Sequence, residues 1–391
     1  LSAADAARKV NRDIPINIVS NEGYLTYYRT RICDLLSGEL TYEDLYVHPE
    51  NWYLERNINL RLNSSVVKVN PKDKSVILDT GEEIKFASLI ISSGSRSFVP
   101  PVSGVSKKNV FSIRSIEDVS TIKDRIDRIK DAVVVGGGLL GLEAAYQLNK
   151  KGIRTNIVEF MPRLLPRQLD KQGASVFEDK VESLGIKVIK GTAVEEVQGS
   201  NSASGVLLNN GSSISADSVV FAAGIRPDFR FLDGSGICTN KGIVVDSKMK
   251  TCVDNIFAAG DVAEFEERIQ GVWLSSMNQG KIAGTNASMM HENSEQRNFE
   301  EYVIEDSPYY LNSMDTKVYS IGNIDMENSS QYDTTMFVDE DRYIYQKLFF
   351  KDNTLAGGIF IGDTANAIKV NSAVKKQMGR EEALKAQFIR E

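Results

Sequence analysis

Two short segments of this 391-residue chain hold residue types, at the right spacing, that suit a nucleotide cofactor. The first is Gly136-Gly137-Gly138-Leu139-Leu140-Gly141. A short apolar run before it, Asp131 to Val135, reads as a buried strand, and Leu142 to Lys151 reads as a helix. A second strand, Thr155 to Val158, ends on Glu159. Strand, glycine turn, helix, strand and terminal acid in that order form a complete dinucleotide fingerprint. Gly136 permits the tight turn, Gly138 lets the backbone approach a pyrophosphate, and Gly141 lets helix and strand pack closely. Leu139 and Leu140, within the glycine segment, are candidates to meet the cofactor, and the phosphates would sit on the helix N-terminus. Glu159 can accept a hydrogen bond from a ribose 2′-hydroxyl and would repel a 2′-phosphate, which favours NADH. Arg163 close behind keeps NADPH open.

The second segment is Ala258-Ala259-Gly260-Asp261, at the end of a strand-like run from Thr251. A glycine there permits close approach, and an aspartate accepts from sugar-alcohol hydroxyls. Asp261 could also simply cap the next element. Glu143, in the first turn of the central helix, is stabilised by the helix dipole whatever its function.

The elements that must position these residues follow from the rest of the chain. Its length suits two or three domains. A formal net charge of -7 argues against nucleic acid or anionic lipid as the main partner. No apolar run reaches the roughly 20 residues needed to span a bilayer, and no signal peptide is visible. Cys33, Cys238 and Cys252 are odd in number and widely separated. We expect from them no disulfide framework and a reducing, cytoplasmic setting. His48 and His291 fit no motif, and no metal cluster can be built from them.

Along the chain, Leu1 to Arg8 reads as a helix already under way and leads to a strand, Ile16 to Val19. Half of a βαβ unit at the start suggests that residues precede Leu1. Residues 64–70 and 75–79 alternate around Pro71-Lys72-Asp73-Lys74, a hairpin pattern. Ala87 to Ile91 is a buried-type strand that ends near Gly94, and Pro100 to Gly104 reads as a linker. We expect a helix near 169–184, strands near 186–190, 205–208 and 217–222, and a turn-rich junction at Gly224. A helix runs from Trp273 to Met290. From about 299 the pattern changes to short alternating strands, such as Tyr343 to Phe350 and Leu355 to Ile361, then a helix from Thr364. The acidic run Glu264 to Glu267 reads as solvated surface.

Taken together, the central fingerprint, the Ala-Gly-Asp segment, the strand ending on Gly94 and the junction at Gly224 resemble the FAD-dependent pyridine nucleotide-disulfide oxidoreductases. Tyr24-Leu25-Thr26-Tyr27-Tyr28-Arg29-Thr30-Arg31 is most similar to the rubredoxin reductases and the flavoprotein part of NirB-type nitrite reductases. Those usually carry proline where Thr26 stands. The resemblance implies an α/β fold with two Rossmann-like, three-layer ββα domains, an NAD domain inserted in an FAD domain, and a small α+β C-terminal domain. The FAD domain would be 1–102 plus 226–298, the NAD domain 103–225 and the last domain 299–391. The family's first strand and glycine loop would fall before Leu1.

Site residues also follow from the resemblance. Ser20 and Asn21 fall near the FAD adenosine ribose, and Arg29 at a position that contacts the flavin cofactor. Val66 would offer backbone to the adenine, and Gly260 and Asp261 would meet the ribityl chain. Gly94, where its strand ends, and Gly224, in the turn-rich junction, are further cofactor-binding candidates. Asn278-Gln279-Gly280 falls at the start of a helix whose N-terminus points at the flavin pyrimidine. Glu143 falls next to the flavin–nicotinamide contact. Lys347 reads either as facing the flavin or as a plain surface lysine, and Trp273 as packing or stacking.

Disulfide reductases of this superfamily use a Cys-x4-Cys pair, which this sequence lacks. The implied activity is therefore transfer from NADH to FAD and on to a small carrier such as rubredoxin. Two other readings stand beside it. One is the electron-input module of a NirB-type nitrite reductase; the other is an NAD(H)-binding, redox-sensing flavoprotein without fast turnover. The short last domain favours a monomer or weak dimer.

Overall fold

The computed structural model describes residues 1–290, 298–304 and 308–390, so His291 lies outside the described residues. The chain divides into two compact units. One comprises Leu1–Arg29, Glu43–Arg96 and Ile225–Glu305; the other comprises Thr30–Tyr42, Ser97–Gly224 and Asp306–Glu391.

In the first unit, Ile16–Val19 pairs in parallel with Ile58–Arg61, and Leu89–Ile91 with Ile256–Ala258. The expected hairpin is present: Val66–Asn70 and Ser75–Leu78 run antiparallel, and Glu83–Lys85 adds a third strand. Small residues set its helix packing. Ala4, Ala6 and Ala7 of the helix Ser2–Val10 are buried. Helix Trp273–Met289 offers Gly280 and Gly284 to that face. A Cβ at Gly284 would collide with the backbone of Ala3, so the two helices touch main chain to main chain. A core of Ile243, Met249, Ile256, Phe257, Val262 and Ala283 lies beneath the Gly260–Asp261 turn.

The second unit holds a five-stranded parallel sheet in the order Lys187–Lys190, Arg154–Glu159, Asp131–Val135, Ser218–Phe221, Val110–Ser112. Ala132, Val133 and Val134 are wholly buried, as an unbroken apolar run covered on both faces should be. Helix Ile116–Lys123 starts in a reciprocal capping box between Ser115 and Asp118. Residues 309–361 form an antiparallel sheet in the order Tyr309–Ser313, Thr316–Ile321, Thr354–Ile361, Ile344–Lys351, Asp333–Asp339. Helices Ala367–Lys375 and Arg380–Lys385 pack on its apolar face through Ala367, Val370 and Ala383.

Three expectations need correction. Cys238 and Cys252, 14 residues apart, form a disulfide, because the fold lays the loop of Cys238 against the hairpin of Cys252. Glu264 is not solvated: it is buried and accepts from Asn240 Nδ2 at 2.8 Å and the Gly242 amide at 2.9 Å. Its strand, Ala263–Glu264, pairs with Ile243–Val244 and draws it inward. The last described helix group begins at Ala367 rather than Thr364, after Asn366.

Candidate functional site

The glycine turn sits where strand Asp131–Val135 ends, at the carboxyl edge of the parallel sheet. Helix Leu139–Lys150 begins three residues earlier than the apolar periodicity suggests, because Gly138 takes the N-cap position. Gly138 brings no side chain to the cap, which leaves the first helical amides for a ligand. The space where a Cβ of Gly138 would lie is open. Gly136 has φ +120°, and a Cβ there would strike the Ala222 carbonyl. A Cβ at Gly141 would strike the carbonyl of Gly136. Turn, sheet and helix are thus in backbone contact, with one open side lined by amides. That is the cradle a pyrophosphate needs.

Glu159 is buried, and its carboxylate is bound on both oxygens. Oε2 accepts from the Gly137 amide at 2.5 Å, and Oε1 from the Met161 amide at 2.7 Å. The acid is therefore fixed beside the glycine turn, with lone pairs left to accept from a ribose. Arg163 is turned inward: it donates to Leu169 O and Pro166 O and pairs with Glu327 at 2.7 Å. The Arg163 guanidinium is thus committed to structure.

Glu143 is half-buried on the same helix, near Cys33 and Asp34. Burial, with the Asp34 carboxylate as a like charge, pushes its pKa up to about 8. Asp34 is held by Arg31 at 3.2 Å and by Gln147 at 3.4 Å. The Cys33 thiol is buried and directed at Leu140 O. Burial, then Glu143 and Asp34, raise it well above the ordinary thiol range, so it stays protonated and unreactive.

In the first unit, Gly260 turns with φ +84° and Asp261 follows. Ser95 Oγ donates to Asp261 Oδ2 at 2.8 Å, and Gly260 N donates to Gln279 Oε1 at 2.8 Å. Ser276 Oγ lies 3.5 Å from Asp261 Oδ1. Burial lowers the Arg29 pKa, but the charges around it, Tyr27 and Glu22 foremost and Asp261 least, raise it more. Arg29 is positioned by Glu22 at 2.6 Å and lies over the Tyr27 ring, while Tyr27 Oη donates to the other Glu22 oxygen. Ser20 directly follows the strand Ile16–Val19, and its hydroxyl accepts from the Glu22 amide.

Asn21 is exposed beside Ser20, and Val66 opens its strand opposite Leu78. Gly94 has φ +67° and accepts from the Asp228 amide; Gly224 has φ +107° and accepts from the Phe98 amide. Asn278 is exposed in the second turn of a helix that begins at Trp273, not at Asn278, with Val272 as N-cap. Trp273 packs against Tyr28 at 5.7 Å.

Sequence reasoning missed the residues that hold the site: Glu22, Ser95, Ser276 and Gln279. Only Gln279, next to Asn278 in a highlighted triplet, carried a signal.

Lys347 is neither a surface lysine nor an uncommitted one. Its ammonium pairs with Asp170 at 2.7 Å, and the Tyr345 hydroxyl donates to the same carboxylate at 2.8 Å. Asp170 also caps helix Lys171–Ser183 through the Gly173 amide. Among the described residues no cluster of His, Cys, Asp or Glu could hold a metal ion, and no helix is long and apolar enough to cross a membrane.

Comparison with known proteins adds to this geometry. Residues 1–290 match the family model described as pyridine nucleotide-disulphide oxidoreductase, and residues 309–378 match the rubredoxin NAD+ reductase C-terminal domain. The chain is 30% identical over 373 residues to an NADH-rubredoxin oxidoreductase of Clostridium acetobutylicum, covering 95% of this chain and 91% of that one. It is also 30% identical to a nitrite reductase [NAD(P)H] of Bacillus subtilis, over 96% of this chain but 46% of the relative. The chain thus spans about half the length of that relative. A crystal structure of NADH:rubredoxin oxidoreductase from Clostridium acetobutylicum superposes with a TM-score of 0.79 at 28% identity, covering 98% of this chain and 96% of that one. A ferredoxin reductase from Rhodopseudomonas palustris shares the fold, with a TM-score of 0.85 at 21% identity over 99% of this chain and 95% of that one.

Proposed function

Because the chain belongs to the pyridine nucleotide-disulphide oxidoreductase family, we propose that it passes electrons from NADH, through FAD, to a small carrier protein such as rubredoxin. In this reading residues 1–102 and 226–298 hold FAD, 103–225 hold NADH, and 299–391 form a third, smaller domain. The protein works in the cytoplasm as a monomer or weak dimer. FAD, when bound, accepts a hydride equivalent and releases electrons singly, which is chemistry no side chain supplies.

The chain's own residues bind and orient. The amides after Gly138 hold the nicotinamide donor's pyrophosphate, and Glu159 accepts from its ribose. Asp261, set by Ser95, binds the flavin's sugar-alcohol chain. The observation that carries the reading is the paired cradle, Gly136 to Glu159 in one unit and Gly260 to Asp261 in the other, together with an inert Cys33. With no dithiol relay beside the central helix, a bound flavin would rely on an external carrier as its electron acceptor.

Stopped-flow mixing of the FAD-loaded protein with NADH tests the first half: the flavin should bleach. Steady-state NADH oxidation with rubredoxin, ferricyanide and oxygen side by side tests the second. Failure to bleach overturns the proposal. A second reading, the electron-input part of a nitrite reductase, is favoured by the match to half of the Bacillus subtilis relative. Rubredoxin turnover no faster than that with oxygen would support it.

Two variants report on the donor site. Glu159→Ala should raise KM for NADH by about tenfold, since one charge-assisted hydrogen bond is worth about 1.5 kcal/mol, and narrow the preference over NADPH. An unchanged KM ratio would refute the ribose role.

Glu143→Gln should act through pH. In wild type the folded carboxyl holds its proton up to about 8, while the ordinary value is 4.5. The folded state therefore binds the extra proton between those values, and stability falls as pH rises through that window. Glu143→Gln should flatten this slope in urea midpoints taken across the window. The same variant should remove an alkaline limb near 8 from the rate of NADH-dependent flavin reduction.

A further inference from the structure

Cys238 and Cys252 play no part in the nucleotide sites, yet they are bonded to each other and both are exposed. Their Cα atoms are 5.9 Å apart, within the ordinary disulfide range. Cys252 sits in the turn of a tight hairpin. Lys250 bridges to Phe257, Thr251 N donates to Ile256 O, and Ala258 N donates to Met249 O. That hairpin runs directly into Gly260 and Asp261. Cys238 lies on a loop tied by its carbonyl to the Val244 amide. Strand Ile243–Val244 in turn pairs with Ala263–Glu264, the segment that leaves Asp261. The disulfide therefore links the segment entering the Gly260–Asp261 turn to the strand that holds the segment leaving it.

The two sulfurs are not equivalent. The Cys238 amide lies 3.0 Å from Cys252 Sγ and points its hydrogen at that atom. A hydrogen bond of this kind stabilises a thiolate on Cys252 and makes it the better leaving group. Cys33 offers an internal contrast, being buried and held protonated.

We propose that Cys238 and Cys252 form a second two-electron redox site, a surface dithiol–disulfide pair that exchanges with small dithiols and dithiol proteins. A reductant thiolate attacks Cys238 Sγ and forms a new sulfur–sulfur bond, while the Cys238–Cys252 bond breaks and Cys252 departs as a thiolate. The reductant's second thiol then attacks its own sulfur in the mixed disulfide and releases Cys238. The reductant is oxidised to a disulfide, and the pair gains two electrons and two protons. Reduction unties the two arms that flank Asp261.

The test uses the full chain loaded with FAD and treated with oxidised glutathione, then iodoacetamide before or after dithiothreitol, with peptide mass mapping. We expect no label on Cys238 or Cys252 before reduction, label on both after it, and none on Cys33 in either case. Hydrogen exchange across 249–258 should quicken several-fold on reduction, and a Cys238→Ser, Cys252→Ser double variant should show the quick rate without reductant. Cys252→Ser alone should take up one glutathione on Cys238. Alkylation of both cysteines after the oxidising treatment, or a disulfide that resists dithiothreitol in the folded protein, overturns the proposal. So does hydrogen exchange across 249–258 that is indifferent to the state of the pair.

Discussion

A Gly136→Val variant should lose NADH-dependent reduction of its flavin while the flavin itself stays bound. Gly136 has φ +120°, a region closed to β-branched residues. The new Cβ would also meet the Ala222 carbonyl, which is main chain and has no rotamer to yield. Relief requires the ends of two central strands to part where Ala222 N donates to Val135 O at 2.8 Å. That distorts the turn that presents the Leu139 and Leu140 amides. A loss of about 2.7 kcal/mol in nucleotide binding corresponds to about a hundredfold in KM for NADH. Gly138→Ala is the matched control. Its Cβ enters open space in the protein, so folding should be untouched, but that space is where the ligand would approach. Thermal denaturation should therefore separate the two variants, while NADH titration should weaken in both. A Gly136→Val protein with an unchanged KM would remove the turn from the donor site.

The second large effect concerns stability, not turnover. Lys347→Met should destabilise the second unit by about 3 kcal/mol or more, because it strands the buried Asp170 carboxylate without its cation. Tyr345 cannot substitute. Its hydroxyl already donates to Asp170, and burial, with that carboxylate beside it, holds the phenol proton far above its ordinary range. Urea unfolding measures the loss. Adding Asp170→Asn should restore part of it, since the double variant no longer buries a lone charge. A lysine that faced the flavin would behave otherwise, lowering kcat at temperatures where the fold is intact. Equal stability with reduced kcat would reject the ion-pair account.

These cases show what a linear chain discloses. The glycine turn was legible because five elements must follow in fixed order within thirty residues, and backbone geometry tolerates little variation there. Ala258 to Asp261 was legible because an apolar strand runs directly into a glycine and an acid. The start of helix Leu139–Lys150 was misread because two leucines in its first turn carry no capping signal, and Gly138 does the capping with backbone alone. Asp170 caps the helix expected near 169–184, but nothing near it announces a lysine 177 residues away. Cys238 and Cys252 lie in separate loops whose approach depends on Ile243–Val244 finding Ala263–Glu264. Glu264 looked solvated in a run of acids because alternation along two residues is too short to reveal an inward face. Glu22, Ser95 and Gln279 orient others and touch nothing distinctive in sequence, so only the assembled fold shows them.

The contact between helix Ser2–Val10 and helix Trp273–Met289 has a consequence for how this sequence can drift. Gly284 meets the Ala3 backbone with no side chain between, and Gly280 lies against Ser2. Most helical interfaces absorb a substitution by repacking a cushion of side chains; this one has no cushion. Position 284 should therefore remain glycine through long divergence, while exposed Leu274 on the same helix varies freely. Because Gln279 and Ser276 hang from that helix and hold the Gly260–Asp261 turn, a methyl group gained at 284 would be felt as displacement at the turn, two helical turns away. In a deep mutational library, position 284 should reject every side chain, while position 280 should accept alanine where the Ser2 side chain gives by a few tenths of an ångström.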